Sequence, residues 1–506
     1  MDSKEIFRKY TDCETFEKIV DYSCVAEMWE HSVNTYSDNI AIVDGKEYTY
    51  SELDAAICSF RAVLSENGVK KGDAVGIYMP NSVEFAKAFI AITTYGASAV
   101  LLPPHLDAMT VFGCSMKFGL KAIAYSAALK DNLTFLSEKN PAVALIDGCA
   151  TSEQGLEAVY SDPSELCTVI FTGGTTGKSK GAKLSHRAVM AGVRNGCYGT
   201  EEVFEQRYLL VLPLTHVFGL IRNLLTAMYT GSSLFICKNN KDMFRDIAVF
   251  KPTIMVLVPA LAEMALNLSK QFGRNMLGPD LKCIICGAAA VAPYLVTEYI
   301  KFGVHLLPGY GLTESANLVS GNPEALKKPG SVGIMYPGME YRIVDGELWL
   351  KGENMMDGYV GNEENAIAYS EDGYFKTGDL VSMDDEGYLY ITGRIKEIIV
   401  LSTGENVSPA ELENYFYAVD EIQDCMVYSD VENGREVLAI EIYPRAVSLK
   451  TNNISDAETY FKGKTAEINK RLPAFQQISK VVVRDTDFVR SPSMKIVRSK
   501  NGSNKS

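Results

Sequence analysis

The stretch Thr172-Gly173-Gly174-Thr175-Thr176-Gly177-Lys178-Ser179-Lys180-Gly181 carries the residue types that hold an anion. Its glycines let backbone N–H groups turn toward a bound anion, and its threonine hydroxyls add neutral donors. Lys178, Lys180 and, just downstream, Lys183 supply positive charge. The whole chain has a formal charge of −14, so this concentration runs against the average field and points to a local polyphosphate site. It is not a Walker loop. That pattern needs a glycine at position 172 ahead of Gly177-Lys178-Ser179, and this chain has threonine there. A Walker loop also opens a helix straight after its lysine, whereas residues 181–186 read as turn and strand, with a helix starting only at Ser185.

Such a loop must be positioned by strands and helices in alternation. The apolar run 168–171 predicts a strand leading directly into it. Further strands are predicted over 74–79, 208–212, 234–237, 254–258 and 282–286, with helices over about 82–97, 216–229 and 260–270 and after Pro293. This rhythm predicts an α/β fold whose large N-terminal domain stacks βαβ units around largely parallel sheets. Near Pro329 it gives way to short, turn-bounded runs such as Glu347-Leu348-Trp349-Leu350 and Gly387-Tyr388-Leu389-Tyr390, which predict a β-rich antiparallel subdomain. A break at Gly393-Arg394 divides the chain into a large domain over 1–393 and a small, mobile α+β domain over 394–506. The small unit is expected to hold a helix from Ser408-Pro409, strands over 424–428, 437–443 and 480–484, and a helix over 457–472. Its polar end, 499–506, reads as disordered.

The loop resembles the nucleotide loop of the adenylate-forming enzymes, which include acyl-CoA synthetases, aryl-CoA ligases, firefly luciferase and the adenylation domains of peptide synthetases. Their pattern is Thr-Ser-Gly-Thr-Thr-Gly-x-Pro-Lys-Gly. Gly173 and Ser179 depart from it, losing a hydroxyl and loosening the turn but leaving the N–H cradle. Further segments match in the family's order. Tyr310-Gly311-Leu312-Thr313-Glu314 implies an adenine face from Tyr310, a hydroxyl for the α-phosphate from Thr313 and a hard oxygen for Mg²⁺ from Glu314, with Thr175 as the other metal-side residue. Tyr374-Phe375-Lys376-Thr377-Gly378-Asp379 implies a ribose site at Asp379, whose carboxylate can accept from both vicinal hydroxyls. Gly393-Arg394-Ile395-Lys396 implies a bridge to the nucleotide from Arg394 and a hinge at Lys396 on which the small domain would swing, with the Gly404 loop resembling the one presented to the thiol acceptor. Arg490-Ser491-Pro492-Ser493-Met494-Lys495 implies Lys495 as the catalytic lysine, with Met494 where the family keeps glycine. Gly287-Ala288-Ala289 matches the segment whose backbone flanks the adenine in the family. Nucleotide binding is thus assigned to Thr172, Gly173, Gly174, Thr175, Thr176, Gly177, Lys180, Gly287, Ala288, Ala289, Tyr310, Gly311, Thr313, Asp379, Arg394 and Lys495.

The same resemblance implies a reaction. ATP, with Mg²⁺, activates a small-molecule carboxylic acid as an acyl-adenylate, and the acyl group passes to coenzyme A. Loading of an acyl carrier protein's phosphopantetheine is the alternative acceptor, and a kinase or a degenerate nucleotide-binding protein the alternative class. The segment Leu212-Pro213-Leu214-Thr215-His216-Val217-Phe218-Gly219 is similar to the acyl-CoA synthetase form of the pocket. It lacks the aspartate with which amino-acid-activating domains pair a substrate ammonium, and burying that charge unpaired is costly. Catalytic or gating work falls to His216 beside Thr313, Glu314 and Lys495, and the acyl tunnel to His216, Val217, Phe218, Gly287 and Gly309. That lining predicts an aromatic or medium-chain fatty acid.

Composition sets the outer limits. At 506 residues, 47% hydrophobic and 22% charged, the chain reads as a globular protein able to bury large cores. Its negative charge argues against a sequence-independent grip on nucleic acid. Met1 is followed by Asp, Lys and Glu rather than a signal sequence, and the nearly uncharged stretch 88–102 is too short and polar for a membrane span, so a cytoplasmic location is expected. The eleven cysteines are scattered and read as small buried hydrophobes. Cys283 and Cys286 fall on opposite faces of a strand and not into a metal or redox pair.

Overall fold

The computed structural model describes residues 3–172, 180–361, 365–401, 405–432, 435–490, 496–498 and 501. Two sheets dominate. The first runs, in spatial order, through Ala144–Asp147, Leu120–Tyr125, Ala74–Tyr78, Ser98–Leu101, Leu166–Thr172 and Lys180–Ser185, parallel except for its last strand. The second has a parallel centre of Ile40–Asp44, Ser233–Ile236, Arg207–Leu210, Ile254–Leu257, Cys283–Cys286 and His305–Leu312, with antiparallel edges. The parallel strands read as unbroken apolar runs because helices cover both faces. Strand Ile254–Leu257, for example, is buried throughout. Cys283 and Cys286 are both buried at the ends of their strand, and all eleven cysteines are free.

Capping chemistry decides where several helices begin. Ser82 accepts from the Phe85 N–H ahead of Val83–Thr94, and Ser185 from the Ala188 N–H ahead of His186–Asn195. The helix expected over 216–229 is a composite. An α-turn, Val217–Gly219, passes into a π-helical stretch, Leu220–Leu225, and then into Thr226–Tyr229. The Thr226 hydroxyl donates to the Ile221 carbonyl at 2.8 Å, which occupies an acceptor the α-ladder would use and favours the wider turn. Gly219 is needed here, since a Cβ would stand 2.2 Å from the Pro213 carbonyl oxygen.

An antiparallel sheet follows, in the order Met339–Val344, Glu347–Gly352, Phe375–Met383, Leu389–Arg394. Beyond it, Ile422–Glu432, Arg435–Pro444 and Ile478–Val483 form a sheet packed against the helices Pro409–Tyr417 and Ala457–Asn469, around a separate apolar core including Leu412, Phe416, Ile440 and Phe461. This last unit docks on the large one through Arg445. Its Nη2 lies 2.8 Å from Glu263 Oε1, and its guanidinium 4.2 Å from the Tyr294 ring centroid. Among the described residues no helix is long and apolar enough to cross a membrane.

His186 gives this fold a pH dependence. It is fully buried and accepts from the Val25 N–H through Nδ1 at 3.3 Å. Burial lowers its pKa to about 4, with Glu165 opposing. Between pH 6.5 and 4 the unfolded chain therefore binds the proton that the folded chain refuses. Stability is complete above about pH 6.5 and falls as pH drops toward 4, by about 3 kcal/mol in all. In thermal denaturation from pH 7.5 to 4.5, His186→Leu is expected to melt lower at neutral pH but to lose less on acidification. An unchanged pH slope would assign the acid sensitivity elsewhere.

Candidate active site

The ends of the anion loop are fixed side by side, because Thr172 and Lys180 stand opposite each other in an antiparallel pair. Gly173, Gly174, Thr175, Thr176 and Gly177 lie outside the described residues, as do Lys495 and Gly404. Residues 357–360 extend the edge beyond Lys180–Ser185, with the Lys183 N–H donating to the Gly358 carbonyl at 2.9 Å and the Val360 N–H to the Gly181 carbonyl at 2.8 Å. That brings the Tyr359 ring to 4.9 Å from Lys180 Nζ and lets its hydroxyl donate to Glu314 Oε1 at 2.6 Å. Loop edge and Glu314 thus share one wall.

Glu314 sits in the turn Thr313–Ser315, directly after strand His305–Leu312. The turn is held by its own backbone contacts: the Leu312 N–H donates to Ser315 Oγ, Asn354 Nδ2 to the Ser315 carbonyl, and the Met356 N–H to the Glu314 carbonyl. Thr313 is nearly buried, and Glu314 half-buried. Its Oε2 accepts no hydrogen bond from a described residue. A partly buried carboxylate with one oxygen pinned and the other open suits a hard divalent cation that keeps phosphate and water as its remaining ligands.

On the same strand, the Tyr310 hydroxyl donates to Asp379 Oδ2 at 2.5 Å, and Arg394 Nε lies 2.7 Å from Asp379 Oδ1. Asp379 and Arg394 are cross-strand partners in the antiparallel sheet. Gly378 adopts a φ of +72°, and its N–H donates to Glu347 Oε1 at 2.8 Å, so the turn ahead of Asp379 uses a left-handed geometry that glycine adopts without strain. The Asp379 side chain is 2% exposed while Arg394 is 42% exposed. The carboxylate is thereby fixed and the guanidinium reaches the open side. Burial raises the Tyr310 phenol well above its usual range, with Asp379 adding to the shift, so it remains a donor.

A second group of residues lies beside strand Cys283–Cys286. Gly287 has no room for a side chain, since a Cβ would meet the Gly309 carbonyl oxygen at 2.9 Å and the Phe218 ring at 3.5 Å. Ala288 follows with a φ of +68°, a strained setting of the kind that gathers at functional sites. Ala289 is exposed. His216 caps the turn Val217–Gly219, taking the Phe218 N–H on Nδ1 at 3.3 Å, so the neutral ring carries its proton on Nε2. Its segment is anchored by Asn81, which donates to the Leu212 carbonyl and accepts from the Leu214 N–H, each at 2.8 Å. Val217 and Phe218 are buried. Lys396 is exposed in the turn Ile395–Glu397, between the two folded units.

Tyr310, Asp379 and Arg394 therefore meet directly, as do Glu314, Tyr359 and the Lys180 edge of the loop. Sequence reasoning did not find Tyr359, whose place depends on the pairing of residues 357–360 with a distant strand.

Two family profiles match the chain: AMP-binding enzyme over residues 29–360, and AMP-binding enzyme C-terminal domain over residues 396–503. Among curated proteins, the chain is similar to peroxisomal OPC-8:0-CoA ligase 1 of Arabidopsis thaliana, at 27% identity over 92% of this chain and 91% of that one. It is also similar to a long-chain-fatty-acid–CoA ligase of Salmonella typhimurium, at 28% identity over 83% and 85%. Among solved structures, an anthranilate CoA ligase in complex with anthranoyl-AMP superposes with a TM-score of 0.83, at 21% identity over 95% of this chain and 96% of that one. The o-succinylbenzoate CoA synthetase of Bacillus subtilis with its acyl-adenylate intermediate gives a TM-score of 0.78, at 24% identity over 94% and 97%.

Asp379→Asn is expected to weaken AMP binding by about 10- to 100-fold in isothermal titration calorimetry, the range for losing hydrogen bonds to a charged acceptor. Affinity within twofold of the parent would remove Asp379 from the nucleotide site.

Proposed function

The chain belongs to the AMP-binding enzyme family, and from that premise we propose that it joins a carboxylic acid to the thiol of coenzyme A through an acyl-adenylate made from ATP. The observation that supports this most directly is the buried Asp379 carboxylate, braced by Tyr310 and Arg394 from two different sheets. A rigid acceptor of this kind, next to Thr313 and Glu314, suits the ribose and α-phosphate of a nucleotide laid across the ends of the parallel strands.

A carboxylate is a poor acyl donor because its leaving group would be oxide. Attack by the substrate carboxylate oxygen on the α-phosphorus of ATP forms one P–O bond and breaks another, releasing pyrophosphate and leaving acyl-AMP. The thiolate of coenzyme A then attacks the carbonyl carbon and AMP departs. Asp379 and Arg394 orient the ribose, Thr313 donates to the α-phosphate, and His216 presents Nε2–H toward the acyl carboxylate. Lys495 stabilises charge on the carboxylate–phosphate centre during the first step, and the small domain turns about Lys396 before the second. Mg²⁺, held by Glu314 and the loop at Thr175, would neutralise phosphate charge. Val217, Phe218, Gly287 and Gly309 favour an acid with an aryl or medium-length hydrocarbon body. A cytosolic setting is supported by eleven free cysteines.

ATP–pyrophosphate exchange over a panel of acids, followed by thioester formation with coenzyme A, tests the reading. Formation of ADP without pyrophosphate would replace it with kinase or NTPase chemistry, and thioester formation only on a phosphopantetheinyl carrier would change the acceptor. Lys495→Ala is expected to slow adenylation by about 10²-fold or more while sparing thioester formation from supplied acyl-AMP. Equal losses in both half-reactions would give Lys495 another role.

A further inference from the structure

Arg445 belongs to the small unit but has partners on both sides of the junction. On its own side, Nη2 donates to the Ile422 carbonyl at 2.9 Å, Nη1 to the Asp420 carbonyl, and the backbone N–H to the Glu421 carbonyl at 2.8 Å. On the other side, Nε donates to Glu263 Oε1 at 2.9 Å, and the guanidinium lies over the Tyr294 ring. The contacts to its own unit do not depend on docking, so the guanidinium is preorganised for its partner. The Arg445 side chain is 3% exposed and that of Glu263 11%. Beyond Arg394, this is the only ion pair between the two units among the described residues. An exposed ion pair adds little, whereas a desolvated one that is costly to leave half-open selects one geometry.

Both partners on the large unit stand at the end of the parallel strands where Gly287 and Ala288 lie. Glu263 is on the helix Pro259–Phe272, which follows strand Ile254–Leu257. Tyr294 is in the first turn of the helix Pro293–Ile300, which follows strand Cys283–Cys286 and residues 287–289. The Tyr299 hydroxyl donates to the Ala262 carbonyl at 2.6 Å and ties the two helices together. The Tyr294 phenol also interacts with the Glu263 carboxylate.

On the small unit, the same guanidinium is linked to the residues around Lys495. Ile422, whose carbonyl it holds, stands two residues before Asp424 on strand Ile422–Glu432. Asp424 Oδ2 lies 2.7 Å from Arg490 Nη2, and Arg490 forms a β-bridge with Ile496. Arg490 and Ile496 bracket Lys495 in sequence. Burial raises the Glu263 pKa, Arg445 opposes the rise and Asp424 adds to it, so Asp424 is near the junction. Docking therefore turns the end of the small unit that carries Arg490 toward the strand ends of the large one.

We propose that Arg445 and Glu263 are a positioning pair for adenylation: closed against Tyr294, they hold the small unit in the pose that serves the first half-reaction, and they part before the thioester step. This rests on the adenylation reading above and adds to it the contact that sets the balance between the two poses. Both residues act through the placement of Lys495 rather than on the reacting atoms.

The test uses the full-length chain and the best acid of a broad panel that includes octanoate, benzoate and cinnamate. Glu263→Gln keeps the shape and removes the charge, and Glu263→Lys sets two like charges together only in the docked pose. ATP–pyrophosphate exchange is expected to fall about 10-fold in Glu263→Gln and about 100-fold in Glu263→Lys, within the usual range for coupling between two conformations. Thioester formation from the matching acyl-AMP should stay at the parent rate or rise. Combining Glu263→Met with Arg445→Met should recover part of the exchange lost in Arg445→Met alone, because no charge is then left buried. Hydrogen–deuterium exchange over 259–272 and 293–300 reads docking without chemistry, and protection there should fall in Glu263→Lys. Equal losses in both half-reactions would make the pair merely structural, and a loss confined to thioester formation would assign its pose to the other step. Either result overturns the proposal. Unchanged protection of the two helices sinks the pair and leaves adenylation standing. A parent that shows no exchange with any acid sinks adenylation, and with it the step assigned to the pair.

Discussion

The carboxylate of Asp379 is almost wholly removed from water, and it survives there because a phenol and a guanidinium each take one of its oxygens. Tyr310 arrives from the nine-stranded sheet and Arg394 from the strand next to Asp379 in the four-stranded sheet. Leaving such a buried charge without partners would cost several kcal/mol, so the two sheets are held to one relative placement. The Tyr359 contacts do the same for the third sheet, tying the Lys180 edge to Glu314. Three sheets that share no strand are thus registered against one another by a few polar contacts, and the cleft between them has the shape that follows.

The link to the last unit is of another kind. Arg445 and Glu263 form a buried pair across the junction, with Tyr294 under the guanidinium. Burial raises the Glu263 pKa and Arg445 opposes that rise, so the carboxylate is comfortable only while the pair is closed. The swing proposed about Lys396 would give up this pair and need comparable contacts in its other position. Desolvated ion pairs of this type fix orientation better than they add stability, which fits a joint that holds a definite pose and still opens.

Sequence alone determined the parallel α/β character, the antiparallel stretch after Pro329, the small terminal unit and the residue types gathered around Asp379 and Glu314. Those features depend on periodicity, on turn chemistry and on short motifs, all of which act over a few neighbouring residues. It placed a strand over 168–171 ahead of the loop, within the observed Leu166–Thr172, and turn and strand over 181–186 after it, against the observed Lys180–Ser185, because an apolar run and a serine cap are local signals. It did not reveal the strands Ile40–Asp44 and Ser98–Leu101, the π-helical break at Leu220–Leu225, or the meeting of Tyr359 with Glu314. Tertiary structure alone decided these. Pairing partners far apart in the chain, and the balance of charge inside a cavity, depend on which surfaces end up face to face. No window of sequence contains that information.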